Sequence, residues 1–106
     1  MRVLFMTRRL AGVGSEQIAA TRLREAAAVW KLVAAGVLRE IHFCAGGRNG
    51  EGAPTVVGLL ECDDLAAARA TLAALPMARE GLIDFDCYAL APYDQFGLLF
   101  RDEFKG

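Results

Sequence analysis

Residues 72–93, LAALPMAREGLIDFDCYALAPY, decide the fold of this chain. They predict the end of an amphipathic helix, a stop at Pro76, a turn at Gly81 and a strand that ends before Pro92. Proline interrupts a helix because it lacks the backbone N–H, and glycine accepts the left-handed backbone of a tight turn. The stretch therefore predicts a helix followed directly by the last strand of a sheet.

Length and composition limit the domain count and the class of protein. At 106 residues we predict a single domain over residues 1–106, which buries about two thirds of the surface of its unfolded chain. The apolar fraction of 55% exceeds the usual range of about 45–50%. No apolar run approaches the roughly 18 residues of a membrane span, so we expect no membrane contact and place the apolar surplus at a subunit interface.

The net charge and the N-terminal residues argue against a nucleic-acid-binding protein and against a secreted one. The net charge is −1 and the isoelectric point is near 5.8, and the basic residues are scattered, so we predict no nucleic-acid partner. The apolar run after Arg2 ends at Thr7 and is too short for the core of a signal peptide. The sequence thus predicts a cytoplasmic protein.

Cysteine and histidine are few. Cys44, Cys62 and Cys87 are an odd number without CxxC spacing, which is typical of reduced, buried thiols. His42 is the only histidine, so a self-contained metal site is not expected, although a symmetric dimer could bring two copies of His42 together. We expect neither a metal nor an organic cofactor.

A strand and a long helix open the chain. Residues 2–10 are rich in β-formers and predict strand 1, which the glycines in residues 12–14 end. Ser15 is expected to cap the helix that follows, and Gly36 to end it in the left-handed conformation.

The first helix is expected to bury one side. Its apolar residues recur at spacings of four, three, four and three, the period of an α-helix. This pattern predicts that Trp30 lies in the core and that Arg22, Arg24 and Glu25 lie on the opposite side. The predicted buried stripe is Ala19, Leu23, Ala26, Trp30 and Val33.

Two strands joined by a hairpin loop come next. Strand 2 is predicted over residues 38–45, the glycine-rich loop over residues 46–53 and strand 3 over residues 55–62. Strand 3 is almost continuously apolar, which predicts burial on both of its faces.

A second helix, a strand and an apolar tail complete the chain. Asp63 or Asp64 is expected to cap the helix and Pro76 to end it. Its predicted buried stripe is Leu65, Ala68, Leu72 and Leu75. Residues 82–91 predict strand 4. Residues 92–106 form a tail with its own apolar cluster, Phe96, Leu98, Leu99, Phe100 and Phe104.

The order βαββαβ is the pattern of the ferredoxin-like α+β fold, in which two helices cover one face of a four-stranded antiparallel sheet. Strands that are apolar on both sides then need a cover for the second face. A second copy of the same sheet is the simplest cover, so we predict an isologous homodimer and leave a higher oligomer open. The tail could cross over and pack on the partner.

Two segments resemble a known family. In residues 36–48, GVLREIHFCAGGR, the matching residues are Gly36, Leu38 and Arg39. In residues 75–96, LPMAREGLIDFDCYALAPYDQF, they are Leu75, Pro76, Ile83, Asp84 and Leu90, with Met77 in place of a second Leu. On these residues the chain resembles the muconolactone isomerase-like family. It is more similar to a branch with LIDF and a PYDQF-like tail than to the isomerase itself.

The resemblance implies a fold and a type of chemistry. The fold is the dimeric α+β barrel. The implied activity is a cofactor-independent proton transfer on a lactone or on another carbonyl or carboxylate compound. A shared fold does not by itself carry a shared reaction.

Alternation along two strands suggests site residues. His42 and Glu40 share one side of strand 2, and Asp84, Asp86 and Tyr88 share one side of strand 4. Because buried polar groups need partners, these side chains could line one pocket. The sequence does not say which sides of the two strands face each other.

In the functional interpretation His42 is a general base or acid, because an imidazole titrates near neutrality, and Asp84 or Asp86 orients its ring. Arg39 or Arg8 is the cation that binds an enolate or carboxylate. In the structural interpretation His42 is a half-buried strand residue, Arg39 forms an ion pair at a dimer edge, and the two aspartates are solvated.

The sequence also leaves two interpretations for the two tyrosines and for the function of the whole protein. Tyr88 and Tyr93 bracket the end of strand 4, where a pocket mouth would contact substrate. One hypothesis is therefore a small-molecule enzyme of the isomerase type. The alternative is a non-catalytic homodimer that binds a ligand or another protein.

Overall fold

The computed structural model describes residues 1–45 and 54–101. The strands are β1 (Arg2–Arg9), β2 (Leu38–Phe43), β3 (Val56–Glu61) and β4 (Ile83–Ala89). The helices are α1 (Ser15–Ala34), α2 (Leu65–Ala73) and the single-turn α3 (Pro76–Arg79), and a 3₁₀ segment, Asp94–Phe100, follows β4. The predicted hairpin loop over residues 46–53 and Phe104 of the predicted tail cluster lie outside the described residues.

The strands form one antiparallel sheet in the order β2-β3-β1-β4. The central strand β1 pairs with β3 from Arg2 opposite Glu61 to Thr7 opposite Val56. The edge strands are β2 and β4, and the register of β2 on β3 shifts at Arg39, between Leu38 and Glu40. This topology confirms the predicted ferredoxin-like α+β fold.

One face of the sheet carries the core. Alternate residues of β1 are buried there, Val3 and Phe5 among them, and they meet Leu60 of β3 and Cys87 of β4. The predicted stripe of α2 is confirmed on this face, where Ala68, Leu72 and Leu75 are buried in the same cluster and Leu65 packs against it.

Helix α1 is rotated relative to the prediction. Leu23 and Trp30 are 82% and 67% exposed, so the predicted buried stripe and a core position for Trp30 are wrong. The inward side carries Ile18, Thr21, Ala28, Val29 and Leu32. Each inward position precedes a predicted one by about one residue, which corresponds to a rotation of about 100° around the helix axis.

Two helix ends also differ from the prediction, and two agree with it. Gly14, not Ser15, is the N-cap of α1, and its N–H donates to the Oε1 of Gln17 at 2.8 Å. Pro76 does not end α2 but begins α3, because its fixed φ suits a first helical turn. The predicted cap of α2 is confirmed, since Asp64 accepts a hydrogen bond from the N–H of Ala67 at 2.7 Å. Gly36 has the predicted left-handed backbone, with a φ of 76°.

Gly58 lets two parts of the structure approach closely. A Cβ at this position of β3 would lie 2.5 Å from the backbone carbonyl oxygen of Glu40 and 2.5 Å from the ring of Phe5. The carbonyl oxygen is part of the backbone of β2, which cannot shift without disturbing the pairing of β2 with β3. A residue without a side chain is therefore required here.

The other face of the sheet, which we call the open face, carries none of the helices in residues 1–45 and 54–101. Its centre is apolar, because Leu4 lies opposite Leu59 and Met6 lies opposite Val57. These four side chains are only partly buried. The 3₁₀ segment is exposed as well, and the rings of Tyr93 and Phe96 at its start contact each other edge to face, 4.9 Å between centroids.

Candidate functional site

A cavity of about 510 Å³ lies between α1 and the helix-covered face of the sheet. Its walls are mostly apolar and include Phe5, Val29, Leu38, Leu60 and Phe85. All four strands contribute to its lining. This volume and apolar character are those of small-molecule sites in proteins.

Among the described residues, three charged side chains line the cavity: Arg9, Arg22 and Glu25. Arg9 is the last residue of β1 and shares the helix-covered side with Thr7, because residues two apart on a strand point the same way. Arg22, Glu25 and Val29 follow one another on α1 at spacings of three and four, so one side of the helix presents all three to the cavity.

Glu25 has the chemistry of a proton-transfer residue. Its Oε1 accepts a hydrogen bond from the N–H of Met77 at 2.9 Å, which holds the carboxyl group against the first turn of α3. Burial raises the pKa of Glu25, the Met77 hydrogen bond opposes that rise, and the charge of Glu80 adds to it. A positioned carboxyl group with a raised pKa inside an apolar cavity is suited to general acid and base catalysis.

None of the seven predicted site residues lines this cavity. Strand alternation places five of them on the opposite, open face. These are Arg8, His42, Asp84, Asp86 and Tyr88. Arg39 lies at the register shift of β2, and Tyr93 lies just before the 3₁₀ segment.

His42 and the two predicted aspartates share a face but are not brought together within one chain. His42 lies on the edge strand β2, whereas Asp84 and Asp86 lie on the opposite edge strand β4. Three strand spacings, about 14 Å, separate these edges. The carboxylate beside His42 is Glu40, whose Oε1 lies 3.3 Å from the imidazole Nε2.

The cation predicted at Arg8 already has a partner. Its guanidinium forms an ion pair with Asp86 across β1 and β4. Asp84, which lies opposite Arg8 in the strand register, accepts a hydrogen bond from the N–H of Phe85 at 2.9 Å. Tyr88 is half exposed and lies opposite Leu4. The functional roles of these residues stay predictions.

Sequence reasoning missed Glu25, Arg9 and Arg22 as site residues. It placed the two residues of α1 on the solvent side of the helix, because the stripe through Leu23 and Trp30 is the more conspicuous one. A second stripe of larger aliphatic residues was present, Ile18, Val29 and Leu32, with Arg22 and Glu25 set within it. Charges inside an apolar stripe break the local pattern, and such breaks tend to mark functional positions.

In the part of the chain that the structure describes, the remaining reactive groups suggest no second site. All three cysteines are free thiols, and burial raises the pKa of Cys87, which disfavours a thiolate nucleophile. Residues 1–45 and 54–101 contain no cluster of three metal-ligating side chains. Within the same residues, no helix is long and apolar enough to cross a membrane.

Comparison with known proteins identifies the fold through solved structures. No protein-family model matches the chain, and none of the curated proteins does. The chain is similar to the 5-chloro-2-hydroxyhydroquinone dehydrochlorinase TftG of Burkholderia phenoliruptrix AC1100, with a TM-score of 0.67, 13% identity and coverage of 86% of this chain and 94% of that one.

A muconolactone isomerase is similar to the same degree. The TM-score is 0.66 at 14% identity, and the match covers 89% of this chain and 92% of the isomerase. The ferredoxin-like α+β fold of the chain, which the sequence resemblance implied, is thus confirmed. At these identities the likeness concerns the fold alone.

Proposed function

We propose that this protein is an isomerase-like enzyme that moves a proton on a small lactone, or on another carbonyl or carboxylate compound, without a cofactor. Glu25 is the acid and base in this proposal. The observation that carries it is the position of this carboxyl group: inside the cavity, held by the Met77 N–H, with its pKa raised by burial.

The proposed step uses one carboxyl group twice. Glu25 as carboxylate removes a proton from a carbon next to a carbonyl group, and the electron pair of the broken C–H bond moves into an enolate. The protonated Glu25 then returns the proton to a different carbon of the conjugated system, which shifts the double bond and leaves the enzyme unchanged. A carboxyl pKa nearer to neutrality suits both halves of this cycle.

Two further points support this chemistry. Apolar side chains form most of the cavity wall, and a charged intermediate interacts more strongly with nearby groups beside such a wall than it does in bulk water. Two proteins with this fold carry the names of an isomerase and a dehydrochlorinase. Both names describe small-molecule chemistry, and we extend that class, not the individual reactions, to this chain.

The pH dependence of exchange tests the role of Glu25. Butenolides and their carboxylic acid derivatives are incubated with the enzyme in D₂O, and deuterium incorporation is followed by ¹H NMR. Since only the carboxylate form removes a proton, kcat/KM is expected to rise with pH through a midpoint above a glutamate's ordinary value, because burial raises the pKa of Glu25. If the pH midpoint of kcat/KM is absent in the variant His42→Gln, the base is His42 and not Glu25. If no compound of the panel incorporates deuterium, the result counts against the proposal that the protein is an enzyme.

We also propose that two copies associate through their open faces. Leu4, Met6, Val57 and Leu59 form an apolar centre there that one chain leaves partly exposed. A second copy of the sheet covers this surface in a symmetric arrangement and gives the dimeric α+β barrel. The exposed segment that contains Phe96 and Phe100 could then pack on the partner.

Leu59→Arg is expected to dissociate the dimer. Leu59 lies on the open face opposite Leu4, so two unpaired charges would be buried in a symmetric interface, and the dissociation constant should rise by at least about 10²-fold. Analytical ultracentrifugation at micromolar concentration measures the change. Leu23→Arg, on the exposed side of α1, is the matched control and should remain dimeric. A monomeric wild-type protein would refute the interface.

The alternative function is a non-catalytic homodimer that binds a ligand or another protein. The apolar open face and the exposed 3₁₀ segment favour association whatever the chemistry of the cavity. In this case the compounds bind and raise the melting temperature, but no deuterium enters them.

A further inference from the structure

Two arginines line the cavity without a charged partner. Arg9 comes from the end of β1 and Arg22 from the N-terminal half of α1. The ion pairs within residues 1–45 and 54–101 involve Arg8, Arg24, His42 and the N-terminus, and neither cavity arginine takes part in one. Guanidinium groups at an apolar cavity that lack a carboxylate partner are free to bind an anion.

Glu25 does not neutralise these two charges. It is the only carboxyl group among the described lining residues. The pKa of Glu25 is nevertheless raised by burial, and no arginine contributes to its shift. Close contact with a guanidinium would instead lower the pKa of a carboxyl group. Among the described lining residues, two positive charges therefore face one carboxyl group, and both arginines are exposed to solvent, where an incoming anion can reach them.

The end of the cavity that holds Arg9 can be located from the sheet topology. Arg9 ends β1 and lies opposite Ile83, which begins β4. Thr55, just before β3, lines the same cavity. Since β1 is antiparallel to both β3 and β4, these three residues lie at one end of the sheet. Leu38 and Leu60 line the opposite, buried part.

We propose that Arg9 and Arg22 together bind the carboxylate of an anionic substrate at this end of the cavity, with the apolar body of the substrate directed toward Leu60. The assignment rests on the proposed function, because it sets the reacting carbon beside Glu25. Arg22 and Glu25 are three residues apart, about 4.5 Å along the helix axis. A small planar acid can therefore contact a guanidinium and the carboxyl group together.

A pair of probes of equal shape tests the charge preference. trans-Cinnamate carries a carboxylate on an apolar planar body, and trans-cinnamamide replaces it with a neutral amide. Isothermal titration calorimetry at low salt is expected to show cinnamate binding at least about 10-fold more tightly than cinnamamide, because charge-assisted hydrogen bonds exceed neutral ones. Equal affinity for both probes, or no cinnamate binding at millimolar concentration, would overturn the proposal.

Variants locate the responsible charges. The double variant Arg9→Gln with Arg22→Gln should lose about 10- to 100-fold in affinity for cinnamate while its affinity for cinnamamide changes less than about threefold. Arg69→Gln is the control, because Arg69 is an exposed residue of α2 that does not line the cavity, and it should bind both probes as the wild type does. If Arg39→Gln loses cinnamate binding and the double variant keeps it, the carboxylate site is at Arg39 instead.

The carboxylate site and the proton transfer can fail separately. Binding of cinnamate requires no turnover, so Glu25→Gln should retain the preference for the carboxylate probe. Deuterium exchange without any carboxylate preference refutes the arginine site alone. If the carboxylate preference depends on Arg9 and Arg22 but no compound exchanges deuterium, only the catalytic role of Glu25 is refuted.

Discussion

Glu25→Gln is expected to slow deuterium exchange into a lactone substrate by about 10²- to 10⁴-fold, the usual contribution of a positioned general base. Glutamine has nearly the shape of glutamate, and its amide oxygen can still accept the hydrogen bond from the Met77 N–H. It cannot take up the proton. The variant thus removes the proton-transfer group and leaves the shape of the cavity nearly unchanged. Exchange rates measured by ¹H NMR at saturating substrate give the comparison.

The stability of the same variant gives an independent check. Burial raises the pKa of Glu25 in the folded protein, so ionisation of this group opposes folding. Its stabilising contribution is present below the ordinary pKa of a glutamate and is lost as pH rises through the raised folded value. At neutral pH, Glu25→Gln should therefore melt at the same temperature as the wild type or higher. Lost exchange together with a lower melting temperature would indicate misfolding and would remove the support for catalysis.

Two matched variants separate Glu25 from other candidates. Glu16→Gln changes an exposed carboxylate in the first turn of the same helix and should leave exchange within about twofold of the wild type. His42→Gln tests the base predicted from the sequence, on the open face. If His42→Gln abolishes exchange and Glu25→Gln does not, the proposed site is wrong.

Gly58→Ala is expected to destabilise the fold by about 3 kcal/mol, at the upper end of the usual cost of overpacking a core. The new Cβ would lie 2.5 Å from the carbonyl oxygen of Glu40 and 2.5 Å from the ring of Phe5. The carbonyl oxygen is backbone of the paired strand β2 and does not yield cheaply, whereas the ring of Phe5 borders the cavity. The lower backbone entropy of alanine in the unfolded chain returns only about 0.5–1 kcal/mol.

Thermal unfolding measures this loss. For a domain of this size, about 3 kcal/mol corresponds to a fall in Tm of about 12–24 °C at a fixed protein concentration. Gly97→Ala is the control, because a Cβ at Gly97 would meet nothing within 4 Å, and its Tm should stay within about 2 °C. A Tm for Gly58→Ala as high as that of the control would mean that β2 and Phe5 move apart without cost.

The order of elements could be read from local patterns. Leu65, Ala68 and Leu72 share one side of α2, Asp64 caps it, and Gly36 takes the left-handed backbone after α1, all as predicted. Such signals depend on a few neighbouring residues and on backbone rules that hold in any fold. Together with the alternation of the strands, they specify the ferredoxin-like arrangement.

The side of α1 that faces the sheet was decided only by tertiary structure. The helix carries two apolar stripes, one through Leu23 and Trp30 and one through Ile18, Val29 and Leu32. Helical periodicity alone does not say which of them meets the sheet, because both satisfy it. In the structure the second stripe faces the sheet, and in this orientation α1 also contacts α3, where the Met77 N–H donates to Glu25.

The composition of the site follows from that rotation. Turning α1 by about 100° brings Arg22 and Glu25 into the cavity beside Arg9. It also leaves Leu23 and Trp30 exposed. The sequence by itself determined the elements and their order, since these depend on local chemistry. The tertiary structure decided which charged groups share one cavity, because that depends on how a helix is turned against strands that are distant in sequence.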